Sequence, residues 1–275
     1  MAEALGLEVR DLARHFGGVQ AVRGVGFKVR PGECVALIGP NGAGKSTTFA
    51  CIAGQHTLSG GQVLWNGERV DLLRPAQRLH RGMARTFQVA QTFEALTVLQ
   101  NVQLLLRDTP ALHPLRSMDA MPQDRALALL QRVNLHEQAG LDARQLPYGA
   151  KKRLELAMAL AGLELGTSQR AAQTTHAARL LLLDEPAAGL APAERAALMR
   201  LVQALTRNPG SELPLAVLYT EHNMDAVFGV ADRVMVLMEG RIVASGSAQE
   251  VAADPLVRSH YLGQSFRWMG EGPHA

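Results

Sequence analysis

The sequence predicts an α/β fold in which a parallel-sheet core carries an antiparallel β portion and an inserted helical lobe. Three short apolar runs indicate the core, because runs of this length suit strands that are buried on both faces. They are Cys34–Ile38, Leu180–Leu183 and Leu215–Tyr219. Asn66-Gly67 and Glu239-Gly240 each separate two apolar segments and indicate hairpins. Between residues 89 and 160 the apolar spacing becomes helical.

The first apolar run leads directly into a glycine-rich loop, which reads Gly-x-x-x-x-Gly-Lys-Ser. In such a loop successive backbone N–H groups point at one anion, and the following helix directs its positive end at the same place. Lys45 is then expected to reach the β- and γ-phosphates, and the Ser46 hydroxyl to ligate Mg²⁺. The competing interpretation is a glycine-rich turn with an ordinary surface lysine. The predicted nucleotide-binding residues are Gly39, Pro40, Asn41, Gly42, Ala43, Gly44, Lys45, Ser46 and Thr47.

Polar residues follow the other two apolar runs. Asp184 and Glu185 come after the leucines, and His222 comes after the last run. The carboxyl ends of parallel strands are where open α/β sheets bind ligands. We therefore expect Asp184 to hold Mg²⁺ and Glu185 to orient and deprotonate a water molecule, with His222 reaching a γ-phosphate as a donor. A solvated acidic pair and a structural histidine are the alternatives.

Further motifs occur in a fixed order around these residues. An aromatic residue, Phe16, precedes the glycine-rich loop, and Gln88 ends an Arg-Thr-Phe-Gln segment. Ala187-Ala188-Gly189-Leu190 follows the acidic pair, and Tyr261-Leu262-Gly263 lies near the end. Before the acidic pair stands a five-residue segment made of Leu146, Pro147, Tyr148, Gly149 and Ala150.

Together these motifs resemble the nucleotide-binding subunits of ATP-binding-cassette (ABC) transporters, and most of all the ATPases of branched-chain amino acid importers. The resemblance extends from about Leu7 to Gly263 and implies a P-loop NTPase (RecA-like) core that hydrolyses ATP with Mg²⁺. It implies that Phe16 stacks on adenine. It also implies that Gln88 ligates Mg²⁺ and, with Glu185 and His222, belongs to the catalytic set.

The segment 146–150 matches the signature loop, which acts in trans on ATP held by a second subunit. Two positions depart from the family pattern, since most members carry serine at Pro147 and glutamine at Ala150. The resemblance implies one ABC ATPase domain over residues 5–263. Its catalytic core would comprise 5–88 and 162–263, its helical signature lobe 89–161, and a tail 264–275. A polar excess of residues near 162–178 is predicted to form a surface loop.

Local signals place individual elements of the helical lobe. Thr97 with Gln100 forms a plausible capping box at the start of one helix, and Pro122 is expected to open another. Four arginines spaced by three or four residues are predicted to line one helical face, solvated rather than bound to nucleic acid. They are Arg74, Arg78, Arg81 and Arg85. The two cysteines, Cys34 and Cys51, are expected to be buried fillers.

Composition bears on location and partners. The chain has 275 residues, 47% hydrophobic, and a net charge of +3. We find no apolar stretch of the ~18–20 residues that a membrane span needs and no signal peptide. The resemblance implies a peripheral protein on the cytoplasmic face of the inner (plasma) membrane. Its expected partners are a second ATPase subunit (in a homo- or heterodimer), transmembrane permease subunits and a solute-binding protein, with no nucleic acid.

Three alternatives stay open at this point. A soluble ABC ATPase would usually carry two cassettes or a long coiled-coil insertion. A P-loop kinase or GTPase would lack the signature loop. A transporter ATPase for an unrelated solute would share all of these motifs, because the solute is chosen by other subunits.

Overall fold

The computed structural model describes residues 6–86, 90–106, 123–168, 178–207 and 213–263. Within these ranges the strands form two sheets. In chain order the strands are β1 (Leu7–Phe16), β2 (Val19–Val29), β3 (Cys34–Ile38), β4 (Gly60–Trp65), β5 (Glu68–Arg69), β6 (Met83–Arg85), β7 (Arg179–Asp184), β8 (Leu215–Thr220), β9 (Arg233–Met238) and β10 (Arg241–Gly246).

The larger sheet is the parallel core that the apolar runs predict. Its strand order is β10-β9-β3-β8-β7-β6. β3 pairs in parallel with β8 and β9, and β7 pairs in parallel with β8 and β6. Every residue of β3 and β8 is buried, as expected for strands covered on both faces. The register sets Asp184 opposite Thr220, so the carboxyl ends of β7 and β8 lie side by side.

The smaller sheet is the antiparallel portion, with strand order β2-β1-β4-β5. β4 and β5 are joined through Asn66 and Gly67, both of which have positive φ, as the hairpin signal predicts. The second predicted hairpin is also present, since β9 and β10 pair antiparallel on either side of Glu239 and Gly240. Both antiparallel predictions are therefore confirmed.

Helices cover the sheets and form the helical lobe. They are α1 (Lys45–Ile52), α2 (Pro75–Leu79), α3 (Val98–Leu105), α4 (Gln123–Arg132), α5 (Tyr148–Ser168), α6 (Pro192–Thr206), α7 (Met224–Phe228), α8 (Ala248–Ala253) and α9 (Pro255–Val257). α3, α4 and α5 pack on one another. The capping box of α3 is confirmed, because Gln100 N donates to Thr97 Oγ1 at 3.1 Å and Thr97 N donates to Gln100 Oε1 at 3.0 Å. Pro122 lies outside the described residues.

The predicted surface loop near 162–178 is wrong in its first part. α5 continues to Ser168, and both Gly162 and Leu163 are buried. A Cβ on Gly162 would lie 3.2 Å from the Leu79 side chain, so this part of the helix packs on α2. Apolar packing continues the helix past the point where the polar composition indicates a loop. Residues 169–177 of the predicted loop lie outside the described ranges.

The predicted arginine face is also wrong. α2 is too short to carry all four side chains: Arg74 precedes it, Arg81 follows it and Arg85 lies on β6. Arg78 is the arginine inside α2, and it is only 2% exposed. The spacing is helical, but the chain turns into a strand before the pattern ends.

Arg78 instead caps the carboxyl end of α1. Its guanidinium donates to the carbonyl oxygens of Cys51 at 2.8 Å and of Ile52, and to those of Leu73 and Asp71 at 3.0 Å each. Burial lowers the pKa of Arg78 to about 10, and the charge of Asp71 opposes this shift. One buried cation therefore ties the helix after the glycine-rich loop to the segment that leads into α2.

Among the described residues, no helix combines the length and the apolar character needed to cross a bilayer.

Candidate nucleotide-binding site

The glycine-rich loop between β3 and α1 is shaped by close backbone contacts. A Cβ on Gly39 would lie 2.0 Å from the carbonyl oxygen of Leu237, and one on Gly44 would lie 2.4 Å from that of Ala21. Both glycines have positive φ, +149° and +102°, so a side chain is excluded by space and by backbone conformation. The loop is thus pressed against β9 on one side and β2 on the other.

Two further hydrogen bonds fasten the loop to the β9–β10 hairpin. Gly240 N donates to the carbonyl oxygen of Ala43 at 2.9 Å, and Arg23 N of β2 donates to the carbonyl oxygen of Gly240 at 2.8 Å. The glycine-rich loop, the hairpin and β2 are therefore joined by backbone hydrogen bonds.

Lys45 is held at the start of α1 by the loop itself. Its side chain is 7% exposed, and Nζ donates to the carbonyl oxygens of Gly39 at 2.7 Å and Pro40 at 3.0 Å. Burial lowers the pKa of Lys45, while the carboxylates of Glu185 and Asp184 oppose that shift. The ammonium group therefore sits among neutral carbonyls that a more strongly charged phosphate can replace as partner.

Asp184 is engaged on both carboxylate oxygens. Oδ1 accepts from Thr220 Oγ1 at 2.9 Å, and Oδ2 lies 2.7 Å from Arg85 Nη2. Arg85 also contacts the side-chain oxygen of Gln55. The acid that we expect to meet Mg²⁺ is thus fixed by the adjoining strands β8 and β6.

Glu185 has a left-handed backbone, with φ of +48°. Such a conformation is uncommon for a residue other than glycine and clusters at functional sites. Its N–H group donates to Thr220 Oγ1 at 3.0 Å, and its Oε1 lies 2.5 Å from Nε2 of His222. The two side chains that we predicted for catalysis therefore meet directly.

The loop, Glu185 and His222 enclose a cleft of about 210 Å³. Lys45, Glu185 and His222 are its side chains with ionisable groups, and loop residues make up most of the remainder. The lining residues are Ala21, Asn41, Gly42, Ala43, Gly44, Lys45, Ser46, Thr47, Glu185 and His222. A cation, exposed backbone and a carboxylate facing one small cleft can hold a polyphosphate and act on a water molecule beside it.

Phe16 lies at the end of β1, outside the set of residues that line this cleft. Its ring is 42% exposed, the guanidinium carbon of Arg14 lies 4.5 Å from the ring centroid, and the His56 ring meets it edge to face at 5.4 Å. An exposed ring beside a cation can stack on a base. Gln88 lies outside the described residues, so its predicted role stays a prediction.

The segment 146–150 starts helix α5. The carbonyl oxygen of Pro147 accepts from the N–H groups of Ala150 and Lys151 at 3.0 Å each, so Pro147 caps the helix. Leu146 and Ala150 are buried, whereas Pro147 and Tyr148 are exposed. None of the described residues that line the cleft comes from this segment. The structure does not bring the predicted signature loop to the cleft of its own chain.

Comparison with known proteins agrees with this geometry. The sequence matches the family described as "ABC transporter" over residues 22–164. It is 34% identical to the high-affinity branched-chain amino acid transport ATP-binding protein LivG of Escherichia coli (strain K12), over 94% of this chain and 98% of that protein. The chain belongs to the ABC transporter family.

Other relatives agree with this placement. The high-affinity branched-chain amino acid transport ATP-binding protein BraF of Pseudomonas aeruginosa is 35% identical over 94% of this chain and 98% of its own. The lipopolysaccharide export system ATP-binding protein LptB of Acidithiobacillus ferridurans is 31% identical over 95% and 98%. The crystal structure of the ADP conformation of MJ1267, an ATP-binding cassette of an ABC transporter, superposes with a TM-score of 0.77 at 27% identity, covering 95% of this chain and all of that one. As a member of this family, the chain is an ATP-hydrolysing cassette with a P-loop NTPase fold.

An apolar groove of this ABC cassette lies between the catalytic core and the helical lobe. It encloses about 400 Å³ and is lined by α2, β6, α5 and the residues Gln91 and Phe93. Phe93 at its rim is 49% exposed. Arg78, Arg85 and Glu155 supply charged side chains, and Gln55 and Gln91 supply polar ones, to a mainly apolar wall.

Three residues of the site were not predicted from the sequence. Thr220 fixes Asp184 and Glu185, Arg85 pairs with Asp184, and Glu221 accepts a hydrogen bond from Ala187 N in the loop after Glu185. Thr220 and Glu221 directly precede His222. The available signal was their place at the carboxyl end of β8, beside the acidic pair that ends β7.

Proposed function

We propose that this ABC cassette drives the import of branched-chain amino acids or related small polar solutes. The proposal is supported by relatives at 34% and 35% identity that are named as branched-chain amino acid transport ATP-binding proteins. The LptB relative is less similar, at 31%. Transport of a different solute is the second candidate, since a cassette can share its ATP chemistry with relatives of other specificity.

In the proposed mechanism Glu185 is the general base. Its side chain lines the same cleft as the glycine-rich loop, and Nε2 of His222 lies 2.5 Å from its Oε1. Lys45 leaves the carbonyl oxygens of Gly39 and Pro40 for the phosphates, and His222 donates to the γ-phosphate. Phe16 stacks on the adenine. Positioning and charge stabilisation of this kind carry most of phosphoryl transfer.

Ser46 and Asp184 fit a magnesium ion, because a hydroxyl group, one carboxylate and phosphate oxygens are its usual ligands. Ser46 lines the cleft. Asp184 is the last residue of β7 and lies opposite Thr220, two residues before His222. Gln88 is the third proposed ligand. The metal neutralises phosphate charge when it is bound. Arg85 holds Asp184 in position beside the cleft.

The proposed active unit contains two cassettes. The signature loop of one cassette, Leu146 to Ala150, completes the ATP site of the other from the N-terminus of α5. This geometry is supported by the separation of the segment 146–150 from the cleft of its own chain. The second cassette can be another copy of this chain or a related ATPase.

The proposed partners also include membrane permease subunits and a solute-binding protein. The groove beside α2 and α5 is the proposed docking site for a permease helix, supported by its apolar lining and by the exposed Phe93. The cassette would then work as a peripheral protein at the cytoplasmic face of the inner membrane. No nucleic-acid partner is proposed.

The transport proposal is tested by deleting this gene in its own organism and measuring uptake of radiolabelled leucine. Wild-type protein is expected to restore uptake, and Lys45→Ala, which lacks the phosphate-binding cation, is expected to leave it at the level of the deletion. Arg200→Ala, at an exposed position of α6 that lines neither the cleft nor the apolar groove, is the matched control. Normal leucine uptake in the deletion strain would contradict the amino acid assignment without touching the ATPase assignment.

A further inference from the structure

Glu221 joins two separate parts of the catalytic site. Its side chain is 4% exposed. Oε1 accepts from the N–H group of Ala187 at 2.8 Å, and Oε2 accepts from the N–H group of His222 at 3.1 Å. Ala187 is the first residue of the segment Ala187–Leu190, which we call the D-loop. His222 is the proposed hydrogen-bond donor to the γ-phosphate. One carboxylate therefore holds the D-loop and the histidine together.

The surroundings of Glu221 shift the pKa of its carboxylate in opposite directions. Burial raises the pKa of Glu221, and N–H groups of Ala187, His222 and Asn223 oppose that shift. Glu221, Glu155 and Asp184 all act on the ammonium group of Lys152, whose own pKa is lowered by burial. Lys152 is in the first turns of α5 and is 3% exposed. A buried charge cluster therefore connects the core with the helix that carries the signature loop.

The signature loop contacts the other end of the D-loop. A Cβ on Gly189 would lie 3.3 Å from the ring of Tyr148, and one on Gly149 would lie 3.5 Å from the Leu190 side chain. The D-loop is thus held by Glu221 at its first residue and by Tyr148 at its third. Its position depends on both contacts.

We propose that Glu221 is a positioning residue that keeps His222, the D-loop and the signature loop of one subunit in a fixed mutual arrangement. The inference rests on the role proposed for His222. Glu221 is absent from the lining of the ATP cleft, so its effect is on turnover rather than on ATP affinity. Glu221 reaches the signature loop through the D-loop, whose third residue, Gly189, lies beside the ring of Tyr148.

The test compares Glu221→Gln and Glu221→Asp in the assembled transporter. Glutamine replaces one acceptor oxygen by an N–H₂ group that cannot accept from a backbone N–H, and aspartate is one methylene too short to span both contacts. We expect kcat for ATP to fall about tenfold in each variant with KM changed less than about twofold. Glu137→Gln, at an exposed position, is the matched control and is expected to keep the wild-type rate.

A double-mutant cycle separates positioning from general support of the fold. In a His222→Ala background, measured by single turnover, Glu221→Gln is expected to cost clearly less than tenfold, because the part of its effect that passes through the histidine is lost and only the D-loop contact remains. An equal tenfold loss in both backgrounds would overturn the inference. So would loss of ATP binding, by calorimetry, in both Glu221 variants.

The two proposals fail in different ways. Wild-type turnover in His222→Ala would overturn the role proposed for that histidine, and this inference with it. Wild-type turnover in both Glu221 variants, beside a reduced rate in His222→Ala, would overturn this inference alone.

Discussion

Replacing Arg78 by methionine is expected to destabilise the catalytic core. The guanidinium makes four hydrogen bonds to carbonyl oxygens at the end of α1 and before α2. At about 1 kcal/mol net for each bond, their loss costs about 4 kcal/mol, and relief from burying a charge returns about 1 kcal/mol. We therefore expect Arg78→Met to lower the free energy of unfolding by about 3 kcal/mol.

Urea unfolding followed by circular dichroism measures this change. With a slope of about 3 kcal/mol per molar urea, the midpoint is expected to fall by about 1 M. Arg78→Lys keeps the charge but has one ammonium group in place of a planar fork, so an intermediate loss is expected. The matched control is Arg74→Met, at an exposed position just before the same helix. Equal midpoints for Arg78→Met and Arg74→Met would refute the capping role.

Three further predictions concern the site and the core. Glu185→Gln removes the proposed base but keeps its shape, so ATP binding by calorimetry is expected to persist while steady-state turnover falls at least 100-fold, within the roughly 10²–10⁴ of general-base catalysis; near-normal turnover would rule out this role. Gly149→Asp adds a carboxylate where the partner's phosphate is proposed to bind and is expected to abolish turnover, whereas Pro147→Ala is expected to cost less than about tenfold, or roughly 1.4 kcal/mol; the reverse order of ATPase rates would contradict the signature assignment. Burial raises the pKa of Cys34 to about 12 and of Cys51 to about 11, so both thiols stay protonated at neutral pH and are expected to react with a disulfide reagent only after unfolding; rapid labelling of the native protein would show that these positions are open to solvent.

Much of the core could be predicted from the sequence because its signals are local. The run Cys34–Ile38 became β3, the glycine-rich loop followed it directly, and the two hairpins formed where asparagine or glutamate precedes glycine. Each of these features depends on residues that are close in the chain. The encounter of Glu185 with His222 followed from the rule that parallel strands end at the same edge.

Features that depend on tertiary packing could not be predicted in this way. The role of Thr220 requires the register between β7 and β8, which no local pattern gives. Arg78 looked like part of a solvated face because its spacing is helical, but α2 ends after one turn and the side chain enters the core. The helix α5 continues through Gly162, which packs on Leu79, and on to Ser168, although the composition beyond Gly162 indicates a loop.

The attachment of the glycine-rich loop to its neighbours has a mechanical consequence. Ala43 is bonded to Gly240, Gly240 is bonded to Arg23, and Gly44 leaves no space beside Ala21. We therefore expect a force applied to the phosphates of a bound nucleotide to pass into both sheets at once. Hydrogen exchange should show the amide of Gly240 as slow as those of the central strands, although it lies in a surface turn.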